Sequence, residues 1–197
     1  GAEFRVNTYT NSDQSAPSIT GLRDGGFVVT WTSWYQDGDQ GGVYGQCYDS
    51  QGHAQGGEFR VNTSTWSSQD HSSITALNEG GFVVSWMSVS PDNGDWDIYA
   101  RRYDAQGVAQ GDNFRVNTNT NYGQYNPTIT SLNDGSFVVT WQSNYDPSYG
   151  WSYGSIFGQR YDAQGVAQGS EFRLNTDTSN QRYNPIITGL SDGGFVA

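Results

Sequence analysis

The residues best suited to chemistry gather in a few loops. Trp34 and Tyr35, Trp66, Trp96, and the group Tyr145, Tyr149 and Trp151 stand beside Asn, Asp, Gln and Ser in the segments that differ most along the chain. Flat aromatic faces next to short polar side chains suit stacking on sugar rings, with the polar groups meeting hydroxyls; they equally suit a protein contact anchored by Trp and Tyr. The alternative is that the same rings cap the ends of the fold and meet no ligand. Asp37 and Asp39, and Asp92, Asp95 and Asp97, offer the hard oxygen ligands that calcium takes, without the full spacing of a calcium loop. Calcium is therefore the one cofactor the sequence allows for. Asn62-Thr63-Ser64 fits the N-glycosylation acceptor pattern. His53, read as part of a turn, and His71, read as part of a loop, occupy unmatched positions, and no nucleophile with a partnered base is visible, so no catalytic residue is assigned. Paired carboxylates for glycoside hydrolysis would have to come together from distant loops.

These loops hang on a repeated hairpin. Gly25-Gly26-Phe27-Val28-Val29-Thr30-Trp31 returns as Gly80-Gly81-Phe82-Val83-Val84-Ser85-Trp86 and as Gly135-Ser136-Phe137-Val138-Val139-Thr140-Trp141, and it starts again at Gly193. The spacing is 55, 55 and 58 residues, which makes internal repetition the main fact about the chain. Each copy follows an acidic residue and an apolar run ending in leucine, so it reads as strand, Gly-containing turn, strand. The Phe27–Trp31 run is nearly continuous in β-branched and aromatic residues, which predicts burial on both faces. Phe27, Trp31, Phe82, Trp86, Phe137 and Trp141 are accordingly core residues. A third strand follows around Tyr44, and a fourth carries the alternating Glu58-Phe59-Arg60-Val61-Asn62. Arg5, Arg60, Arg115 and Arg173 form a structural ladder on that fourth strand, each expected to pair with a carboxylate such as Asp49 or Asp104, or to stack on Tyr48 or Tyr103.

The expected fold is all-β: a β-propeller-like array of four-stranded antiparallel blades with one repeat of about 55 residues per blade. Residues 1–15 supply the outer strand of a split blade and its loop, 16–63 blade 1, 71–118 blade 2, 126–176 blade 3, and 184–197 the start of an incomplete blade. The strand near Ile19 is expected innermost and the Phe59 strand outermost. A chain cut from a longer array is the expectation, with open sheet edges that favour further repeats or copies of itself as partners.

The net charge of −11, with twenty acidic residues against nine basic ones, all arginine, argues against nucleic acid as a partner. No apolar run approaches the length of a membrane-spanning helix, so membrane insertion is not expected. Cys47 is the single cysteine and stands where later repeats carry Arg102 and Arg160, so it reads as a replacement and not as a nucleophile.

The composite of Leu-x-Asp-Gly-Gly-Phe-Val-Val-Thr-Trp, Gln-Arg-Tyr-Asp-Ala-Gln-Gly and Glu-Phe-Arg-Val-Asn-Thr resembles tandem repeats of very large secreted or surface bacterial proteins that also carry cadherin-like or hemolysin-type modules. The resemblance covers essentially the whole chain and brings no catalytic residue with it. It implies an extracellular or cell-surface setting and a structural or adhesive role. The expectation is therefore a non-enzymatic structural or adhesive β-repeat module, with end-to-end assembly into a fibril as one form. The alternative is a carbohydrate-binding, lectin-like propeller that takes glycans on its aromatic loop face, and a glycan-active enzyme is a weaker one.

Overall fold

The computed structural model describes residues 2–144, 154–177 and 182–197. The chain is all-β, and among the described residues no helix occurs. Three four-stranded antiparallel sheets follow one another, then the first two strands of a fourth. Blade 1 holds β1 (Gln14–Gly21), β2 (Phe27–Trp34), β3 (Gly41–Tyr48) and β4 (Ala54–Arg60), hydrogen-bonded in that order. Blade 2 holds β5 (Gln69–Ala76), β6 (Phe82–Val89), β7 (Trp96–Tyr103) and β8 (Phe114–Arg115), and blade 3 holds β9 (Gln124–Ser131), β10 (Phe137–Ser143), β11 (Ser155–Tyr161) and β12 (Phe172–Arg173). β13 (Thr188–Gly189) pairs with β14 (Phe195–Val196). The first strands touch one another in series, β1 on β5, β5 on β9 and β9 on β13, which makes them the inner ring of a propeller-like arrangement.

Local chemistry sets the turns. In the first hairpin the Leu22 amide donates to the Gly26 carbonyl at 2.7 Å, and the Gly26 amide donates to the Asp24 carboxylate at 3.0 Å. Gly25 sits at φ +86°, where a side chain would be strained. The turn after the third strand is organised by one aspartate: Asp104 Oδ1 accepts from the amides of Gln106 and Val108 at 3.0 and 2.9 Å. Asp49 and Asp162 repeat the arrangement, so these carboxylates are used inside their own turns and none of them pairs with the arginine ladder.

The core lies between blades. The faces of β2 and β3 carrying Val28, Val43 and Cys47 pack with Val61 against Ile74, Phe82, Val84, Trp86 and Tyr103 of blade 2. The next joint repeats this with Val83, Met87 and Ile98 against Phe137, Val139 and Trp141. Phe82 is stacked on Tyr103 at 5.1 Å and 9°, and Phe137 on Tyr161 at 5.2 Å and 15°. Burial of a ring such as that of Phe82 stabilises the joint by about 3 kcal/mol. The fourth strand locks each joint: the Tyr103 hydroxyl donates to the Val61 carbonyl at 3.0 Å, and the Tyr161 hydroxyl to that of Val116 at 3.3 Å. The Tyr48 hydroxyl makes the same bond to Val6 at 3.2 Å, and Phe4 lies 5.5 Å from the Tyr48 ring, so the N-terminal segment lies on blade 1 as Phe59 and Val61 lie on blade 2.

The arginine ladder meets the expectation only in part, since Arg115 faces a carboxylate, that of the buried Asp97 at 3.8 Å, whereas Arg60 Nε donates to a backbone carbonyl, that of Asn62 at 3.1 Å. The ring of Tyr103 is taken by Phe82 and Phe59 on its faces, with Arg101, a third-strand residue, 5.8 Å from its centroid.

Candidate functional site

β1, β5 and β9 each break their alternation near the start. The register of β1 against β2 shifts between Ser15 and Ser18, that of β5 against β6 between Asp70 and Ser73, and that of β9 against β10 between Tyr125 and Thr128. At the shift stands a residue in the left-handed region: Ala16 at φ 47°, His71 and Asn126 at 52°, and Asn184 at 49° in the equivalent place before β13. None is glycine, so each costs of order 1 kcal/mol that the surrounding sheet must hold down. Bulges of this kind re-aim side chains and are over-represented beside active sites.

The three bulges and the segment around Asn184 line one cavity of about 320 Å³. Pro17, Pro127 and Pro185 give it flat apolar walls, while Ser18, Ser73 and Thr128 add hydroxyls. The Asn126 amide donates to Asn184 Oδ1 at 2.8 Å across the cavity, which leaves Nδ2 of Asn184 as a donor toward a ligand. His71 Nδ1 lies 3.3 Å from Asp70 Oδ2, and Asp70 Oδ1 accepts from the Thr32 hydroxyl at 2.5 Å and from the His71 amide at 2.7 Å. The hydrogen bond to Asp70 raises the His71 pKa above its ordinary value, against burial, which works to lower it. At Asp70 burial pushes upward, but the bonds from His71 and Thr32 outweigh it and the carboxyl is lowered. His71 thus belongs to the strand β5 and not to a loop, and it is tied to a carboxylate.

The aromatic residues divide. Tyr35 is 60% exposed and Trp66 49% exposed, whereas Trp34 is half-buried with its ring tilted against that of Tyr35 at 6.2 Å. The loops bearing Tyr35 and Trp66 are joined, since the Ser67 amide donates to Asp39 Oδ2 at 2.8 Å. Trp96 opens β7 and packs against the core between blades 2 and 3, which removes it from the rim. Tyr125 packs on the same core, and Tyr183 is exposed. Tyr145, Tyr149 and Trp151 lie outside the described residues.

The acidic loops do not assemble. Among the described residues no group of three His, Cys, Asp or Glu side chains is placed to hold a metal ion, Asp37, Asp39, Asp92, Asp95 and Asp97 included. Asp97 is buried, its Oδ1 accepting from Asn117 at 2.6 Å, and burial raises its pKa. Cys47 is also buried, and desolvation pushes its thiol up to about 11, so it is held as the unreactive thiol. The glycosylation reading of Asn62 fails on geometry. Its side chain is 2% exposed, and Nδ2 donates inward to the Ser64 carbonyl at 2.6 Å and to Gln69 Oε1 at 2.8 Å, so the nitrogen that would carry a glycan is enclosed.

Sequence reasoning passed over Ala16, Asn126 and Asn184. The signal was present in the repeated Asn-Pro-x-Ile of 126–129 and 184–187, matched by Ala-Pro-Ser-Ile at 16–19 and His-Ser-Ser-Ile at 71–74. A residue before proline is steered away from the helical region, and Asn tolerates the left-handed one.

No protein-family model matches this sequence, and no curated protein matches it. Solved structures do share the fold. An endo-arabinase from Bacteroides thetaiotaomicron superposes with a TM-score of 0.56 at 19% identity, covering 98% of this chain and 72% of that one. A thermostable family-43 glycoside hydrolase gives 0.61 at 12% identity, covering 95% of this chain. An endo-1,4-beta-xylanase from Bacteroides thetaiotaomicron gives 0.51 at 11%, covering 89%. The chain spans 65% of the length of each of the last two. At these identities the likeness is one of fold, and it is with propeller-like β-architecture that the resemblance noted from the repeats agrees. The expectation of a non-enzymatic structural or adhesive module is overturned, since the three structures just named, which share this fold, are an endo-arabinase, a family-43 glycoside hydrolase and a xylanase.

Proposed function

We propose that this chain is a carbohydrate-recognising propeller segment whose sugar sits in the cavity ringed by β1, β5, β9 and the residues preceding β13. The observation that carries the reading is the convergence of three equivalent bulges and the left-handed Asn184, with Asn126 and His71 among serines, a threonine and proline faces, on one open cavity. Sugars present hydroxyls at their edges and C–H groups on their faces, and this lining offers partners for both. Exposed Tyr35 and Trp66 add stacking surfaces for a longer chain. The glycoside hydrolases that share the fold support the same class of ligand. They also favour a second reading, cleavage of the bound glycan, for which Asp70 beside the cavity is the candidate carboxyl group.

The test is calorimetric titration with a panel of neutral and acidic oligosaccharides on the intact chain and on Asn126→Gly. Glycine keeps the left-handed backbone and removes the amide. The expected result is saturable binding that weakens about tenfold in the variant, the equivalent of losing roughly one hydrogen bond of about 1.4 kcal/mol. Absence of binding across the panel would sink the reading. Reducing-end release on the same panel decides between binding and cleavage.

A further inference from the structure

The cavity carries no acidic side chain in its lining, although twenty acidic residues give the chain a net charge of −11. Among its lining residues Nδ2 of Asn184 and the imidazole of His71 supply donors, while the Ser73 hydroxyl accepts from the Ile129 amide and that of Thr128 is bonded to Thr140. His71 also breaks the sequence pattern of the ring, since its counterparts are Ala16, Asn126 and Asn184, none of which titrates. Its own carboxylate partner lies outside the lining. Asp70 engages Nδ1 and is held in turn by Thr32, so the second ring nitrogen is the one left for a ligand.

Resting on the carbohydrate reading, we propose that the cavity selects an acidic sugar, a uronic acid residue, with His71 as the specificity-determining residue that donates from Nε2 to the sugar carboxylate. Asn184 supplies a second donor to the same group, and the hydroxyls of β1, β5 and β9 meet the sugar hydroxyls. Asp70 fixes the ring orientation and favours the protonated imidazole, consistent with the raised pKa of His71. The elements packed against β5 add no competing charge: β1, β2 and β6 carry no titratable side chain, β9 carries only Tyr125, and β3 carries Tyr44, Cys47 and Tyr48, whose pKa values burial raises. Binding then strengthens as pH falls through the His71 range, while the uronate, with a far lower pKa, stays ionised.

The experiment compares uronate oligosaccharides with their methyl esters, which lose the charge and gain one methyl group, and with neutral oligosaccharides of the same length. Titrations run at about pH 5.5 and about pH 8, on the intact chain and on His71→Asn. Asparagine already occupies the same left-handed backbone at Asn126, so the variant retains the fold, which circular dichroism and thermal melting confirm. Expected is a preference of about tenfold or more for the free acid over its ester, greater at the lower pH and lost in His71→Asn, as befits a charge-assisted hydrogen bond. Equal binding of acid and ester would overturn the proposal and leave the carbohydrate reading standing. An acid preference untouched by His71→Asn would overturn the role of His71. Failure of every saccharide to bind would overturn both readings together.

Discussion

Replacing Asn62 by alanine takes one side chain out of three hydrogen bonds. Oδ1 accepts from the Val43 amide at 2.8 Å, and Nδ2 serves Ser64 and Gln69 at 2.6 and 2.8 Å. Val43 and Gln69 are both fully buried, so their freed groups find no water, whereas the exposed Ser64 is rehydrated. Two unsatisfied buried groups at about 1–3 kcal/mol each predict a loss of about 2–6 kcal/mol. Asn7 is the internal control, an equivalent repeat residue that makes only the bond to the Tyr9 carbonyl at 2.7 Å, so Asn7→Ala should cost less than about 1 kcal/mol. Urea denaturation followed by tryptophan fluorescence measures both. Asn62→Asp sharpens the test. A carboxylate can still accept from Val43 but cannot donate to Ser64 or Gln69, and burial raises its pKa above the unfolded value. The folded state then binds the proton more tightly, so the deficit of this variant should shrink as pH falls through that raised pKa. Equal losses at Asn62 and Asn7, or a deficit that grows on acidification, would refute the reasoning.

Asp97→Asn should stabilise the chain at neutral pH, because the raised pKa marks a carboxylate that burial disfavours; the gain should fade on acidification, as read from melting temperature against pH. Cys47 should resist thiol reagents at neutral pH in the native state and react at the ordinary rate in urea, since it is 2% exposed and its thiol is pushed up to about 11. Tyr35→Ala and Trp66→Ala should weaken binding of longer glycans by roughly threefold to tenfold with melting temperatures nearly unchanged, since an exposed ring contributes stacking and little burial. A titration series in oligosaccharide length checks this.

The hairpins and their order were legible because the repeat states them four times. Gly-Gly-Phe-Val-Val marks a turn whose backbone requires glycine at Gly25, Gly80 and Gly135, and the buried run after it has the composition of a doubly covered strand. The outer strands were less legible. β4 runs for seven residues but β8 and β12 for two each, since length there depends on pairing with the third strand and not on the alternation shared by all copies. Arg115 does meet a carboxylate, but it is Asp97, and Arg60 meets a backbone carbonyl, because Asp49 and Asp104 are consumed by their own turns, a competition that spacing alone does not reveal. The cavity was the least legible part. Its residues lie about 55 positions apart, and their left-handed backbone is not announced by glycine, so only superposition of the repeats brings Ala16, His71, Asn126 and Asn184 together.

The fourth-strand lock bears on how such a chain can change over generations. Blades 1 and 2 each carry both halves of a joint: a valine carbonyl and a phenylalanine offered to the next blade, and a tyrosine that receives them from the segment before. Misaligned recombination between two copies would add or delete one unit and create a junction already furnished with matching parts. Repeat number can therefore drift at the level of the gene without any new complementary surface. The residues at the cavity are free of that constraint, since Ala, His and Asn all occupy the same place in the repeat. Inheritance of the scaffold and divergence of the ligand preference are thereby assigned to different codons.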